Sequence, residues 1–352
     1  MGPEEMIKID GNYALLGDHS RRGIPVVDAR LIGTHAGLAR CIRYLDIGDT
    51  FSLDDLHQPP PITGSFIRTC LEFNLFSFIL LAVWRQFPRR VRATAYELLG
   101  KLGALLYGRI HASVQRLPFG LYLKYHGDPA DCRNEFNALK LVHKGTSIPT
   151  PKALDVVYGS DDSTSFLLMT KVSGMPLHKC IDVISDNNLV HFGHQLGLYL
   201  AQLRTMRRND QPGAAISDTV GGPCRDPRLR GGQPLGPFSD EEAFSQFLMF
   251  PDHPSRRAHS IYFTHADLNP RNILVDRVVG RRGACTWKVS GIVDWEGSGY
   301  YPEYWELTKA MYEMFRWPSR YNDFMRGVFR QLGDYSAELE TEIESWENGD
   351  GV

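Results

Sequence analysis

The sequence predicts an α+β, bilobal fold: a small β-rich lobe, then a larger, mainly helical lobe, with a helical extension ahead of both. Three observations predict it. Short apolar strands cluster between residues 107 and 170, with one helix among them. Long amphipathic helices dominate after residue 171. Between those helices lies the segment His265-Ala266-Asp267-Leu268-Asn269-Pro270-Arg271-Asn272-Ile273-Leu274-Val275-Asp276, with Asp294 following directly behind the apolar Gly291-Ile292-Val293.

The domain boundaries expected are 1–106, an extension that is partly irregular and then helical; 107–170, the small lobe; and 171–352, the large lobe. Residues 1 to about 65 are punctuated by Gly and Pro and end at Pro59-Pro60-Pro61, a stiff linker. From Gly64 to about Tyr107 apolar residues recur at helical spacing, interrupted by Pro88. Ten apolar-rich residues, Leu75 to Trp84, fall short of the ~20 a membrane span needs. Arg85, Arg89, Arg90 and Arg92 follow. A buried helix with a basic exit is expected there rather than a membrane-associated one.

Ile110, Ala112 and Val114, then Leu121-Tyr122-Leu123-Lys124, alternate as strands do. Cys132 to His143 places Phe136, Leu139 and Val142 on one helical face. Ala153 to Tyr158 and Phe166 to Thr170 are two further strands about the polar turn Ser160-Asp161-Asp162-Ser163. Beyond Lys171-Val172-Ser173-Gly174 the clearest helix is Asn188 to Met206. Residues 212–237, rich in Gly, Pro and Arg, form a long loop, a feature tied to function or disorder. Helices resume near Asp240 and again from Tyr304 onward.

The 352 residues suffice for two lobes. A net charge of -2 gives no reason to expect nucleic acid or an anionic membrane as partner. Six cysteines stand singly without a C-x-x-C pair, which argues against zinc and suits a reducing, cytoplasmic setting. The first ten residues have no apolar core and are not a secretory signal. With neither G-x-x-x-x-G-K-[ST] nor G-x-S-x-G present, P-loop and hydrolase-elbow chemistry are excluded.

The His265 segment reads H-x-D-L-x-x-x-N, a discriminating kinase string. Phosphoryl transfer needs a carboxylate to accept the acceptor's proton, and an amide with a second carboxylate to hold magnesium against nucleotide phosphates. Asp267, Asn272 and Asp294 supply these residue types.

With these motifs, the chain resembles the aminoglycoside phosphotransferase and choline kinase branch of the protein kinase-like fold, in particular its fungal-type small-molecule kinases. The resemblance spans approximately residues 105–325. It rests on Asn134-Glu135 through Leu139, Ser147-Ile148-Pro149-Thr150-Pro151, Leu168-Met169 through Gly174, Leu203-Arg204, the Asp267 segment and Asp294-Trp295-Glu296. Protein kinases carry D-F-G where this chain has D-W-E. The resemblance implies an ATP- and magnesium-dependent transfer to a hydroxyl of a small-molecule acceptor, with Asp267 as the catalytic carboxylate. It implies magnesium ligands at Asn272 and Asp294, and a nucleotide-facing set of Lys124, Glu135, Met169 and His265. Within that set Lys124 meets the phosphates, Glu135 fixes its ammonium and Met169 to Gly174 line the base. His265 supports the loop by hydrogen bonds rather than by proton transfer.

Two departures from the family pattern stand out. No G-x-G-x-x-G precedes Lys124, where only Pro118-Phe119-Gly120 is found. Gly280-Arg281-Arg282-Gly283 extends the hairpin between the catalytic strands. A catalytically silent binding module is the competing reading, but such a module loses one of the Lys, Asp, Asn or second Asp, and all four remain. Glu296, Glu303 and Glu306 raise the expectation of a cationic acceptor, against a plain helix-capping role.

Overall fold

In the computed structural model the described residues are 6–9, 12–15, 75–109, 111–159, 164–206, 215–226, 229, 232–279, 285–312 and 314–349. The polar turn 160–163 and the Gly280 to Gly283 extension lie outside them, as does most of the N-terminal stretch. The chain divides into two compact units, Met1–Asp46 and Ile47–Val352. The first contains an antiparallel hairpin of β1 (Met6–Ile9) and β2 (Asn12–Leu15). Asp10-Gly11 between them is a dipeptide that favours tight hairpins, a signal hidden within a segment otherwise read as irregular.

In the second unit, α1 (Leu75–Trp84) and α2 (Arg89–Tyr107) are separated at Pro88, as its missing N–H and fixed φ require. A four-stranded antiparallel sheet follows, in the order β3 (Val114–Leu117), β4 (Leu121–His126), β6 (Ser165–Thr170), β5 (Ala153–Val157). The first strand begins at Val114, later than the alternation from Ile110 suggests. A single turn, Pro118–Gly120, joins β3 to β4. Helix α3 (Pro129–Gly145) lies between β4 and β5; Pro129 opens it, and the Asp128 carboxylate caps it by accepting from the Ala130 N–H at 2.7 Å.

Strand alternation decides what each face of this sheet covers. Leu123, Phe166 and Leu168 pack with Tyr96 of α2 on one side. Leu167 packs with Ala138, Leu139 and Val142 of α3 on the other. The sheet is thus held between two helices, and Lys124 and His126, out of phase with Leu123, belong to the α3 side. Tyr96 anchors α2 through its hydroxyl to Asp155, whose carboxylate also takes Arg92 at 2.7 Å.

The larger lobe is built on α4 (Asp186–Thr205), α5 (Glu241–Ser245), α6 (Trp305–Ala310), α7 (Ser319–Phe329) and α8 (Ser336–Glu347). Two small sheets run through it. One joins β7 (Met175–Pro176), β10 (Ile273–Val279) and β11 (Cys285–Ile292); the other joins β8 (Ser217–Asp218), β12 (Gly299–Pro302) and β9 (Ile261–Thr264). The described part of the long loop is fastened by β8 and by bridges Ile216 to Phe238 and Cys224 to Leu235. Backbone pairing there satisfies the polar groups that composition alone leaves unassigned.

Helix α2 approaches the sheet through Gly100 and Gly103. A Cβ at Gly103 would overlap the Arg116 carbonyl and press on Leu117 and Gln115. Gly103→Val is therefore expected to lower unfolding stability by about 1–3 kcal/mol in urea titrations. Gly327 in α7 has open space around it. There Gly327→Ala is expected to raise stability by about 0.5–1 kcal/mol. Equal midpoints for wild type and Gly103→Val would contradict the close-packed α2 contact.

Candidate active site

The β10–β11 register aligns the ends of this hairpin. Ile273 pairs with Ile292, and the Val293 N–H then donates to the Asn272 carbonyl at 3.0 Å. Asp294, one residue on, is carried beside the loop His265 to Asn272 that runs from β9 into β10. Both segments are strained at one residue: Ala266 has φ 64° and Asp294 φ 70°. Such left-handed φ values in residues other than glycine persist only where surrounding contacts over-determine them.

Those contacts are present. Glu306, buried in α6, accepts the His265 N–H at 2.6 Å and the Ala266 N–H at 3.2 Å. The His265 ring accepts the Asp267 N–H on Nδ1 at 3.2 Å, while Nε2–H donates to the Val293 carbonyl at 3.0 Å. This fixes a neutral tautomer, and burial pushes the imidazole down to about 4. The ring also meets the Trp295 indole edge-on at 4.5 Å, and the indole N–H donates to the Ile292 carbonyl at 2.9 Å. From below, the Tyr321 hydroxyl donates to the Leu268 carbonyl at 2.9 Å.

Asn272 folds back on Asp267. Its Nδ2 donates to the Asp267 carbonyl at 2.8 Å and to carboxylate Oδ2 at 2.9 Å, so the amide oxygen is the atom of this side chain that can offer a lone pair to a cation.

Lys124 lies across from this loop. Its ammonium contacts Glu135 at 2.8 Å, Glu296 at 3.0 Å and Asp294 in a shorter ion pair. Burial alone would lower its pKa, but Asp294, Glu135 and Glu296 outweigh it and hold the amine charged. For Glu135, burial works upward, yet Lys124 and then His126 bring the carboxyl down to about 2. His126, two residues along the same strand face, is 3.0 Å from Glu135 and 3.5 Å from Glu296.

One ammonium thus faces three carboxylates. At Glu296 the pull of Lys124 is overcome by lost hydration and by the charges of Asp294 and Glu135, and the group is pushed up to about 7. This negative surplus, together with the carboxylate and amide oxygens of Asp294 and Asn272, fits a divalent hard cation such as magnesium.

The structure therefore brings Lys124, Glu135 and Asp294 into direct contact, and Asp267 with Asn272. His265 is wholly buried and touches loop backbone, so its place is beneath the site. Met169, in β6 opposite Tyr122, is nearly buried just ahead of the connector.

Sequence reasoning missed His126 and Asn134 as site residues. His126 is foreshadowed by its two-residue spacing from Lys124. Asn134 donates to the Glu296 and Ser298 carbonyls at 2.8 and 2.7 Å while accepting the Thr219 N–H at 2.9 Å. It clamps α3 to the Asp294 segment. The three acids expected to attract a cationic acceptor are committed internally. Glu296 meets Lys124, Glu306 caps the loop, and Glu303 pairs with Arg204 at 3.9 Å and accepts the Tyr335 hydroxyl at 3.1 Å. They lend that preference no support.

A four-stranded antiparallel lobe against a helical lobe, with a strand lysine and helix glutamate facing an Asp-Asn-Asp set, is the protein kinase-like fold. The chain belongs to the phosphotransferase enzyme family, whose model matches residues 121–340, and is a small-molecule kinase. It is similar to a thermostable mutant of aminoglycoside phosphotransferase APH(4)-Ia with ADP and hygromycin B (12% identity, 70% of this chain and 87% of that one, TM-score 0.44). Another similar structure is aminoglycoside-3'-phosphotransferase of type VIII (19%, 68% and 90%, 0.44). A third is APH(3'')-Id from Streptomyces rimosus with ADP and streptomycin (17%, 74% and 92%, 0.40). No curated protein gives a significant match.

Because His265 is neutral when folded and titrates at its ordinary value when unfolded, protonation favours the unfolded chain. Its contribution is full above pH 6.5 and is lost as pH falls through about 4. The loss amounts to roughly 3 kcal/mol. His265→Gln, which gains no proton, is expected to flatten that acid limb in urea unfolding across the range; parallel curves would contradict it. For Lys124→Ala and Glu135→Ala, losses in nucleotide affinity are expected to be non-additive, with a coupling of about 0.5–3 kcal/mol in a double-mutant cycle.

Proposed function

We propose that this enzyme transfers the γ-phosphoryl group of ATP to a hydroxyl of a small metabolite. The observation that carries this reading is the hydrogen bond from Asn272 to the Asp267 carboxylate at 2.9 Å. It holds a carboxylate in one orientation beside the Asp294–Lys124 pair.

Asp267 orients the acceptor hydroxyl and takes its proton as the oxygen attacks the γ-phosphorus. The bond from that phosphorus to the β–γ bridging oxygen breaks, and ADP leaves. Lys124 binds the α- and β-phosphates, and Glu135 keeps its ammonium in place. Asn272 and Asp294 are the residues that hold magnesium, which when bound neutralises charge on the phosphates. Met169 and the connector up to Gly174 line the base. The short Pro118–Gly120 turn covers the phosphates in place of a glycine-rich loop.

The setting proposed is the cytoplasm. Cys132, Cys180 and Cys224 are free and buried, and burial pushes each thiol up to about 12, as suits inert cysteines in a reducing compartment. Among the described residues no helix is long and apolar enough to cross a membrane.

A screen of hydroxylated metabolites with γ-labelled ATP and magnesium is expected to identify an acceptor. With that acceptor, Asp267→Asn is expected to lower turnover by ~10²–10⁴ while nucleotide binding persists. Undiminished turnover in Asp267→Asn would remove the catalytic assignment.

A further inference from the structure

The outer side of the α1–α2 hairpin departs from the buried helices expected on composition. Among the described residues, nine of the seventeen exposed large apolar side chains fall between Leu80 and Tyr107. On α2 they recur at helical spacing: Val91, Leu98, Leu102 and Leu105 form a stripe, with Phe87 at the hairpin tip. Leu98 is 60% exposed, Leu102 43% and Leu105 83%. Tyr96, Gly100 and Gly103 take the opposite side of the helix, against the sheet. One side of α2 is buried against the sheet, and a second, apolar stripe is left in water.

Charge is distributed just as unevenly. Residues 75–109 contain six basic side chains and one acidic, Glu97, in a chain whose net charge is -2. Arg85 and Arg92 are taken by Asp155. Arg89 and Arg90 are exposed at the tip, and Lys101 and Arg109 are exposed alongside the leucines.

We propose that the α1–α2 hairpin seats this protein on an anionic membrane surface. Apolar side chains bordered by arginine and lysine are what an interfacial helix requires: the former enter the headgroup–acyl boundary and the latter meet lipid charge. Ten residues make α1 about 15 Å long, half of a ~30 Å hydrocarbon core, so the hairpin lies in the interface and does not span it.

Two other occupants fit less well. A second copy docking through a two-fold axis would bring this basic set against itself. A nucleic-acid backbone would use the charges and leave the leucines in water. The geometry also leaves the enzyme open. Helix α2 covers the sheet face opposite Lys124, so a membrane-seated molecule keeps its nucleotide cleft toward solvent.

The test is co-sedimentation of the full chain with phosphatidylcholine vesicles, with and without about a quarter phosphatidylserine. Binding is expected with the anionic vesicles alone and is expected to weaken as salt is raised. Arg89→Gln with Arg90→Gln is expected to weaken binding roughly thirtyfold, and Leu98→Glu with Leu102→Glu to abolish it. Both pairs are surface changes, so thermal unfolding checks that the fold is kept. The arginine pair stands as an independent test if the leucine pair misfolds. Wild-type protein that stays in the supernatant with anionic vesicles would overturn the proposal. So would undiminished binding by folded variants. A dimer in sedimentation equilibrium that Leu98→Glu with Leu102→Glu dissociates, without vesicle binding, would assign the face to a second copy instead.

Discussion

A buried ammonium is costly unless charges and hydrogen bonds meet it, and Lys124 is met by three carboxylates from two parts of the chain. Glu135 comes from α3, and Asp294 and Glu296 from the segment after β11. Removing Lys124 would leave three clustered carboxylates without their cation, Glu135 buried and Asp294 and Glu296 open to water. This contact ties the small sheet to the segment after β11. Asn134 reinforces it by binding the backbone of the same segment. The left-handed φ at Asp294 is the local cost of aiming its carboxylate at Lys124.

Beneath this pair, a second set of contacts fixes the loop that carries Asp267. Glu306 takes two backbone N–H groups, His265 bridges to Val293, and Tyr321 holds Leu268. Each of these hydrogen bonds goes to a main-chain atom. Their role is to hold Asp267 and Asn272 in one geometry, and preorganisation of that kind is where phosphoryl transfer gains most of its rate.

Much of this was legible in the sequence because local spacing encodes it. The H-x-D-L-x-x-x-N string sits on one tight loop, so its spacing alone keeps its members close. Lys124 lies on a strand with clear alternation, and Pro88 and the turn at residue 118 punctuate as proline dictates. Glu306 was not legible as a loop cap, since it lies about forty residues from the N–H groups it accepts. Glu296 and Glu303 carry no local sign of being engaged internally. The apolar content from Leu75 to Leu106 suggested burial, but composition does not say which stripe of α2 faces the sheet. Tyr96, Gly100 and Gly103 decide that through close approach, and the leucines on the far side stay exposed.

The central claim is that Lys124, Asp294 and Asn272 form one nucleotide–cation site. Calorimetry of ATP binding with and without magnesium, in wild type and in Asp294→Ala, tests it most directly. Wild-type affinity is expected to rise with magnesium, and Asp294→Ala to lose that gain. An equal magnesium dependence in the two proteins would contradict the account.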